Sequence, residues 1–219
     1  ATLNRSWNNG DHGYAHLGAT GTIHVHDVAH GNHSDGFSIQ GVSTGTQIYN
    51  SIAADNGLAI GGFDLNVDTG STAGFESNHN LFWNSTAQAP VRYNATAQPT
   101  VAAYVLASGR DVESLQADPQ FVNPAAGDFR LTDGSPAIDN ANSAAPHWPA
   151  TDAEGQPRFD DRTIENTGPG PVAYADRGPL EFVNDLAPVV TVTKTATGME
   201  NSPIAVSVKV HDPDGQPIT

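Results

Sequence analysis

The first third of the chain repeats itself, and this feature restricts the fold more than any other. Three successive units span residues 7–27, 28–51 and 52–80, and a fourth begins at Leu81. The units contain asparagines that recur at intervals of 23, 24 and 28 residues, at Asn9, Asn32, Asn56 and Asn84. A period of this length is typical of one turn of a solenoid, in which each turn buries its inner face only by stacking on its neighbours.

A glycine followed by an aromatic residue marks each of the first three units. The pairs are Gly13-Tyr14, Gly36-Phe37 and Gly62-Phe63. We expect the three aromatic rings to stack in one interior column at about 4.8 Å per rung. The asparagines are expected to form a ladder that satisfies backbone groups at a sharp turn. The predicted fold class is therefore all-β, a parallel β-helix, and the alternative is an ordinary β-sandwich in which Asn and Gly recur by chance.

Composition and charge exclude several classes of protein. The 219 residues include 24 acidic and 9 basic side chains, a formal net charge of −15 with neutral histidines, which disfavours binding to nucleic acid. There is no cysteine, so disulfides and thiolate chemistry are excluded. No apolar run approaches the roughly 18 residues that a membrane span needs, so we expect no transmembrane helix.

The character of the sequence changes twice along the chain. The solenoid coils are expected over residues 1–95 and a C-terminal cap with loops over 96–183, with a short amphipathic helix within 100–116. Residues 184–219 alternate apolar and polar side chains in two runs, which predicts two β-strands. Because two strands do not make a stable domain, we interpret this segment as a linker and the beginning of a β-sandwich.

The segments NNGDHGY, HSDGFSIQG and DNGLAIGGFDLN resemble successive coils of the right-handed parallel β-helix in the pectate-lyase-like superfamily, with the closest likeness to polysaccharide lyase family nine. The segment ADPQFVNPAAGDFRLTDGSPAIDN resembles the C-terminal cap common in secreted bacterial β-helix proteins, and ENSPIAVSVKVHDPDGQPIT resembles the first strands of a cadherin-like or PKD-like, Ig-like sandwich. These resemblances imply a modular protein, secreted or at the cell surface, that acts on polysaccharide.

The resemblance also implies a calcium site and a catalytic base, and this chain departs from both. The family's calcium coil reads Asp-Asp-Gly-aromatic-Asp; here Asp11 is retained, but His12 and Ala15 stand at the second and third Asp positions. Ser38 stands where the family has its basic lysine, and no lysine precedes Lys194. The active site is therefore expected to be incomplete in this chain. The alternative is a non-catalytic carbohydrate-binding, adhesive or self-assembling protein, with contacts through the solenoid ends or the C-terminal strands.

Paired carboxylates offer a second route to catalysis. Glycoside hydrolysis needs two carboxyl groups that face a sugar. Asp35 and Asp64 are the candidates, with Asp64 expected to point outward in register with Ser38 and Ala15. Asp35, Asp64 and Ser38 are thus the candidate catalytic residues of a polysaccharide lyase or glycoside hydrolase. The competing interpretation is that these aspartates stabilise turns.

Six of the nine histidines lie between residues 12 and 33. His24 and His26 are two positions apart on a predicted strand, so their side chains are expected to share one face. Together with Asp11 and His12 they form a candidate site for a transition metal. The alternative is separate structural roles, because the strand register here is ambiguous by one residue and a slip reverses the faces.

Two further sets of residues are candidates for ligand binding. Aromatic rings suit the apolar faces of sugars, and the candidates for such stacking are Trp7, Tyr49 and Trp83, although such rings also serve in packing. Asp212 and Asp214 in the run DPDG resemble a calcium-binding turn at a module boundary, with a plain Asp-Gly turn as the alternative.

Overall fold

The structure is a computed structural model that describes residues 1–184, 189–192, 201 and 207–211. The chain divides into two compact units, Ala1–Phe182 and Val183–Thr219. The first unit contains a parallel β-solenoid of about three turns, so the predicted parallel solenoid is confirmed and the ordinary sandwich is excluded for the repeats.

Each turn contains three short strands. The first turn consists of β1 (Arg5–Trp7), β2 (Tyr14–Leu17) and β3 (Ile23–Val25). The second consists of β4 (Val28–His30), β5 (Phe37–Gln40) and β6 (Gln47–Tyr49). The third consists of β7 (Ile52–Ala54), β8 (Leu65–Val67) and β9 (Glu76–Asn78). The strands β10 (Leu81–Trp83) and β11 (Val91–Tyr93) continue the stack. Equivalent strands pair in parallel and form three sheets: β1-β4-β7-β10, β2-β5-β8-β11 and β3-β6-β9.

The chain then leaves the repeat. β12 (Thr96–Gln98) folds back antiparallel on β11, and the helix α1 (Val101–Ser108) follows. β13 (Leu115–Gln116) adds to β10, and β14 (Phe121–Asn123) forms an antiparallel pair with β15 (Asp128–Leu131). Two 3-10 helices lie at Thr69–Ser71 and Pro124–Ala126.

One column of side chains in the interior runs through four rungs. The register aligns Tyr14 with Phe37, Leu65 and Val91. The rings of Tyr14 and Phe37 are stacked with centroids 5.0 Å apart and an interplanar angle of 14°. The expectation that Phe63 occupies the third rung is wrong. The corner of the third turn is longer, so the column position falls two residues later, on Leu65.

Close packing between turns explains why a glycine precedes the column position. A Cβ on Gly13 would lie 2.7 Å from Nδ2 of Asn32 and from the carbonyl oxygen of Gly36. A Cβ on Gly36 would lie 2.6 Å from the carbonyl oxygen of Asp64. These distances leave no room for a side chain, so glycine is required where the turns stack most closely.

The asparagine ladder follows the corner after the first sheet. Oδ1 of Asn32 accepts hydrogen bonds from the backbone N–H and the side-chain amide of Asn9, at 3.1 and 2.8 Å. Oδ1 of Asn56 accepts the same pair from Asn32, at 3.1 and 2.8 Å. The ladder ends within the third turn at Asp64, whose Oδ1 accepts hydrogen bonds from both donors of Asn56. The prediction that Asn84 is the fourth member of the ladder is wrong. Trp83 is in register with Ala54, so Asn84 corresponds to Asp55 and not to Asn56.

Helix α1 is shorter than the stretch 100–116 in which it was predicted. The hydroxyl of Thr100 caps its first turn by accepting a hydrogen bond from the N–H of Ala103 at 3.0 Å. Gly109, with φ of 69°, ends it in the left-handed conformation. Val101 and Tyr104 are buried against the interior of the solenoid, so the helix closes that end of the core.

Residues after β13 cover the outer face of the first sheet. Val28, Ile52 and Leu81 pack there against a cluster that includes Phe129 and Leu180. The first sheet is therefore buried on both faces over most of its area.

Further along the cap, a buried ion pair joins Arg158 to Glu181 at 2.7 Å, and the guanidinium carbon of Arg158 lies 4.8 Å from the centre of the Trp148 ring.

The second unit contains a two-stranded antiparallel sheet, formed by β16 (Val189–Val192) and β17 (Val208–His211). Both predicted strands are present, and Asp212 and Asp214 lie outside the described residues. Among the residues that the structure describes, no helix is both long and apolar enough to cross a membrane.

Candidate functional site

A groove follows the corner where the chain leaves the first sheet. Its floor is a row of strand-end residues in register, namely His30, Ala54 and Trp83. Beyond this row the chain turns sharply, because Asn8, Gly31 and Asp55 all have left-handed backbone conformations, with φ of 50°, 60° and 56°. The sequence supplies Asn, Gly and Asp at these positions, the residue types that tolerate this conformation best.

The opposite wall comes from the cap. Two adjacent hollows, of about 560 and 280 Å³, share His30 and Asp55. We call them together the corner groove. It is lined by Asn8, Asn9, Gly10, His30, Gly31, Asn32, His33, Ala54, Asp55, Leu58, Ala59, Trp83, Ser85, Asp118, Pro119, Gln120, Phe121 and Pro124. The lining includes residues from four successive rungs, so the corner groove extends about 14 Å along the solenoid axis, from three rung spacings of about 4.8 Å each.

His30 lies at the centre of the corner groove. Its ring packs against the rings of Phe121 and Phe129, with centroids 6.1 and 5.9 Å away. Burial lowers the pKa of His30, and the nearby carboxylates of Asp55 and Asp118 oppose this shift. Nδ1 of the ring is buried and makes no hydrogen bond within the described part of the chain. Because Nδ1 is enclosed by protein, His30 contributes the face and edge of its ring to the corner groove and not this nitrogen.

The two charged residues that line the corner groove are both acidic. Asp55 is held in place by the N–H of Ser85, which donates to its Oδ1 at 2.7 Å. Asp118 accepts a hydrogen bond on Oδ1 from the N–H of Gln120 at 2.8 Å. No lysine or arginine is among the described residues that line it. The corner groove therefore combines an aromatic ring, amides and a negative potential.

The predicted catalytic residues Asp35 and Ser38 do lie together, on the outward side of the second sheet. Oδ2 of Asp35 accepts hydrogen bonds from the hydroxyl of Ser38 at 3.0 Å and from the amide of Asn66 at 2.8 Å. Its Oδ1 accepts from the N–H of Phe63 at 2.9 Å. Asp35 and Ser38 are 4% and 2% exposed, so this network contributes to the corner's structure. Their catalytic role stays a prediction.

Asp64 does not have the position that its predicted register required. The outward row aligns Ala15 with Ser38 and Asn66, so the expectation that Asp64 belongs to it is wrong. Asp64 is completely buried at the end of the asparagine ladder. Burial is the main reason that its pKa is raised well above the ordinary value, and the charges of Asp55 and Asp35 add to the shift. The catalytic role of Asp64 stays a prediction.

The expectation that His24 and His26 share one face is wrong. The backbone of His26 is left-handed, with φ of 56°, so the strand ends before it and the two rings diverge. His24 turns inward, where its Nδ1 is 2.6 Å from Oδ2 of Asp27 and its Nε2 is 2.7 Å from Nε2 of His16. His26 packs instead against Trp148, with ring centroids 4.8 Å apart.

The structure does not bring the four predicted metal ligands together. His12 lies at the outer corner, where its Nδ1 accepts a hydrogen bond from the N–H of Asp35 at 3.1 Å and its Nε2 is 3.5 Å from Oδ1 of Asp11. Within the described ranges, no three His, Asp or Glu side chains converge on a point where a metal ion would bind. These histidines therefore make separate contacts in different parts of the solenoid.

The three predicted sugar-stacking rings have different surroundings. Trp83 is half-buried and lines the corner groove. Trp7 is in the same row but packs edge-on against Phe129, with ring centroids 5.7 Å apart. Tyr49 is half-buried on β6, in the third sheet. Of the three, Trp83 is the ring that the structure places in a cleft.

A hollow of about 550 Å³ between α1 and β13 is a weaker candidate. It is lined mainly by aliphatic side chains, including Val105, Leu106 and Val112. Its polar groups are already engaged: Gln116 accepts from the N–H of Val101, and the hydroxyl of Ser114 donates to Asp111. It therefore offers little to orient a ligand.

Sequence reasoning missed His30, Asp55, Asp118 and Gln120 as functional candidates. His30 ends the first strand of its turn and Asp55 directly follows the first strand of the next turn, so both lie at the same corner, and this placement was a usable signal. Asp118 and Gln120 lie more than 60 residues further along the chain, and no repeat links them to the corner. Searches against protein-family models, curated proteins and solved structures found no match to this chain.

Proposed function

We propose that this chain binds an extended polysaccharide along the corner groove, as part of a modular protein that is secreted or displayed at the cell surface. The observation that carries the proposal is the composition of the groove over four rungs. The half-buried ring of Trp83 is combined there with the amides of Asn8 and Gln120 and the imidazole ring of His30. Aromatic faces pack on pyranose rings, and amides and imidazoles hydrogen-bond to hydroxyls.

The shape of the corner groove suits a polymer. Successive rungs present side chains at a constant spacing along one axis, so a chain of similar sugar units meets similar groups as it continues. The likeness of the repeats to right-handed β-helices of the pectate-lyase-like superfamily supports the same class of ligand.

Binding has better support than catalysis. Asp35, Ser38 and Asp64 are buried and hydrogen-bonded within the corner, and they do not line the corner groove. A lyase or hydrolase activity stays a prediction, and so does a requirement for calcium.

The test is affinity electrophoresis and calorimetry with soluble glycans, in the presence and absence of calcium. Trp83→Ala should weaken binding about tenfold, which is the loss of one aromatic stacking contact of roughly 1–1.5 kcal/mol. Gln120→Ala removes an exposed side chain of the opposite wall and should weaken binding less.

Tyr49→Ala is the matched control, because it removes a half-buried aromatic ring from a different sheet. Its affinity should equal that of the unchanged chain. Equal loss in the Trp83 and Tyr49 variants, or no binding to any glycan, would refute the proposal. Appearance of unsaturated uronate absorbance or of reducing ends during incubation would establish catalysis instead.

A further inference from the structure

The negative charge of the corner groove indicates which class of polysaccharide it would bind. Asp55 lies on the solenoid wall and Asp118 on the cap wall, and both line the hollow that contains His30. Each uses Oδ1 for a backbone N–H, and within the described part of the chain Oδ2 of each makes no hydrogen bond. Two carboxylate oxygens on opposite walls are therefore available to the same ligand.

No lysine or arginine among the described lining residues balances these charges, and the other titratable side chains there are those of His30 and His33. Burial lowers the pKa of His30 and so disfavours its charged form. Arg5 carries a cation on β1, but it is paired with Glu154 at 3.9 Å and does not line the corner groove. The chain as a whole carries −15 formal charges, so a polyanion meets repulsion at long range as well as in the groove.

We propose that the ligand of the corner groove is a polysaccharide with free amino groups, that is, a polymer of deacetylated amino sugars. Its ammonium groups donate to Oδ2 of Asp55 and Asp118, while its ring faces pack on Trp83. This inference rests on the proposed function, since it specifies the chemistry of a glycan bound at the same place.

The test compares three oligosaccharides of equal length by calorimetry: a chitosan oligomer, its fully N-acetylated chitin counterpart and an oligogalacturonate. Measurements at mildly acidic pH keep the amines charged. The chitosan oligomer should bind about fivefold more tightly than the chitin oligomer for each amine–carboxylate contact, the upper end for ion pairs open to solvent. The difference should shrink as salt is added, because screening weakens exposed ion pairs.

Asp55→Asn keeps the acceptor for Ser85 and removes only the charge. It should lower chitosan affinity about fivefold and leave chitin affinity unchanged, and Asp118→Asn should do the same. The control is Glu76→Gln, which removes one negative charge from the third sheet, where Glu76 pairs with Arg110. It should change neither affinity by more than the experimental error.

The outcomes separate the two proposals. Equal affinity for the chitosan and chitin oligomers would overturn the amine specificity and leave glycan binding intact. Calcium-dependent binding of oligogalacturonate that Asp55→Asn abolishes would also overturn it, since the carboxylates would then hold a bridging cation. Failure of these three oligosaccharides to bind would overturn the amine specificity, and absence of binding to any soluble glycan would overturn both proposals.

Discussion

Asp64 shows how one residue changes the behaviour of a repeated motif. It ends a ladder whose other members are asparagines, and its Oδ1 accepts both hydrogen bonds of Asn56. Its Oδ2 is buried and makes no hydrogen bond within the described residues. Burial therefore disfavours the ionised carboxylate and raises the pKa of Asp64 well above 3.8.

Replacing Asp64 with asparagine should remove a pH-dependent loss of stability. Between the unfolded pKa and the raised folded pKa, the folded state binds more protons than the unfolded state, so stability falls as pH rises. The Asp64→Asn variant lacks this pH dependence. Its unfolding free energy should exceed that of the unchanged chain by little near pH 4, and the difference should grow by up to about 1.4 kcal/mol for each pH unit. Urea unfolding at several pH values measures this difference.

Asp11→Asn is the control, because Asp11 is exposed at the same corner. Its unfolding free energy should stay within about 0.5 kcal/mol of the unchanged chain at every pH. Parallel pH profiles for Asp64→Asn and the unchanged chain would show that Asp64 does not carry a raised pKa.

At the scale of elements, the hairpin of β11 and β12 ends the second sheet. Its two turn residues, Asn94 and Ala95, have φ of 50° and 62°. A two-residue turn with both residues left-handed is of type I′, and its favoured sequence is Asn-Gly. Alanine at the second position is therefore strained by roughly 1 kcal/mol.

Ala95→Gly should relieve this strain and stabilise the chain by about 0.5–1 kcal/mol. Ala97→Gly is the matched control, since Ala97 is exposed on β12 and extended, where glycine should cost about the same amount. Thermal unfolding of both variants measures the two effects. A lower midpoint for Ala95→Gly would contradict the type I′ assignment.

The sequence predicted the elements that depend on repetition and missed those that depend on loop length. The spacing of Asn9, Asn32 and Asn56 was sufficient for the ladder, because each rung repeats the same contact. Leu65 was missed as a column residue because the third corner is longer than the earlier two. The corner groove could not be predicted at all, since its second wall exists only after residues 118–124 dock against the first sheet.

At the scale of the 1–182 unit, Arg177 joins the cap to the solenoid. Its guanidinium donates to the carbonyl oxygens of Asn80 at 2.7 Å, Glu113 at 3.0 Å and Asn140 at 3.4 Å. Burial lowers the pKa of Arg177 to about 10, and the nearby Asp111 and Glu113 act in the opposite direction. One buried guanidinium thus contacts the turn between β9 and β10, the segment after α1 and the cap.

Arg177→Met should destabilise this unit by about 2–4 kcal/mol, because it leaves buried carbonyl groups without donors. Limited proteolysis should then cut the loops after residue 140 sooner than the solenoid. The control is Arg130→Met, which removes an exposed arginine that pairs with the neighbouring Asp128 and should cost less than 0.5 kcal/mol. Equal unfolding free energies for the two variants would assign Arg177 no role in joining the two parts.

The reversed direction of β12 also bears on how copies of this protein could associate. A stack of parallel strands with free backbone groups is a template on which further chains can add in register, as they do in fibres. On the β12 side of the second sheet, the outermost strand runs the opposite way, so another parallel rung meets a mismatched order of donors and acceptors. The turn at Asn94 and Ala95 therefore removes the parallel edge at this end of the second sheet.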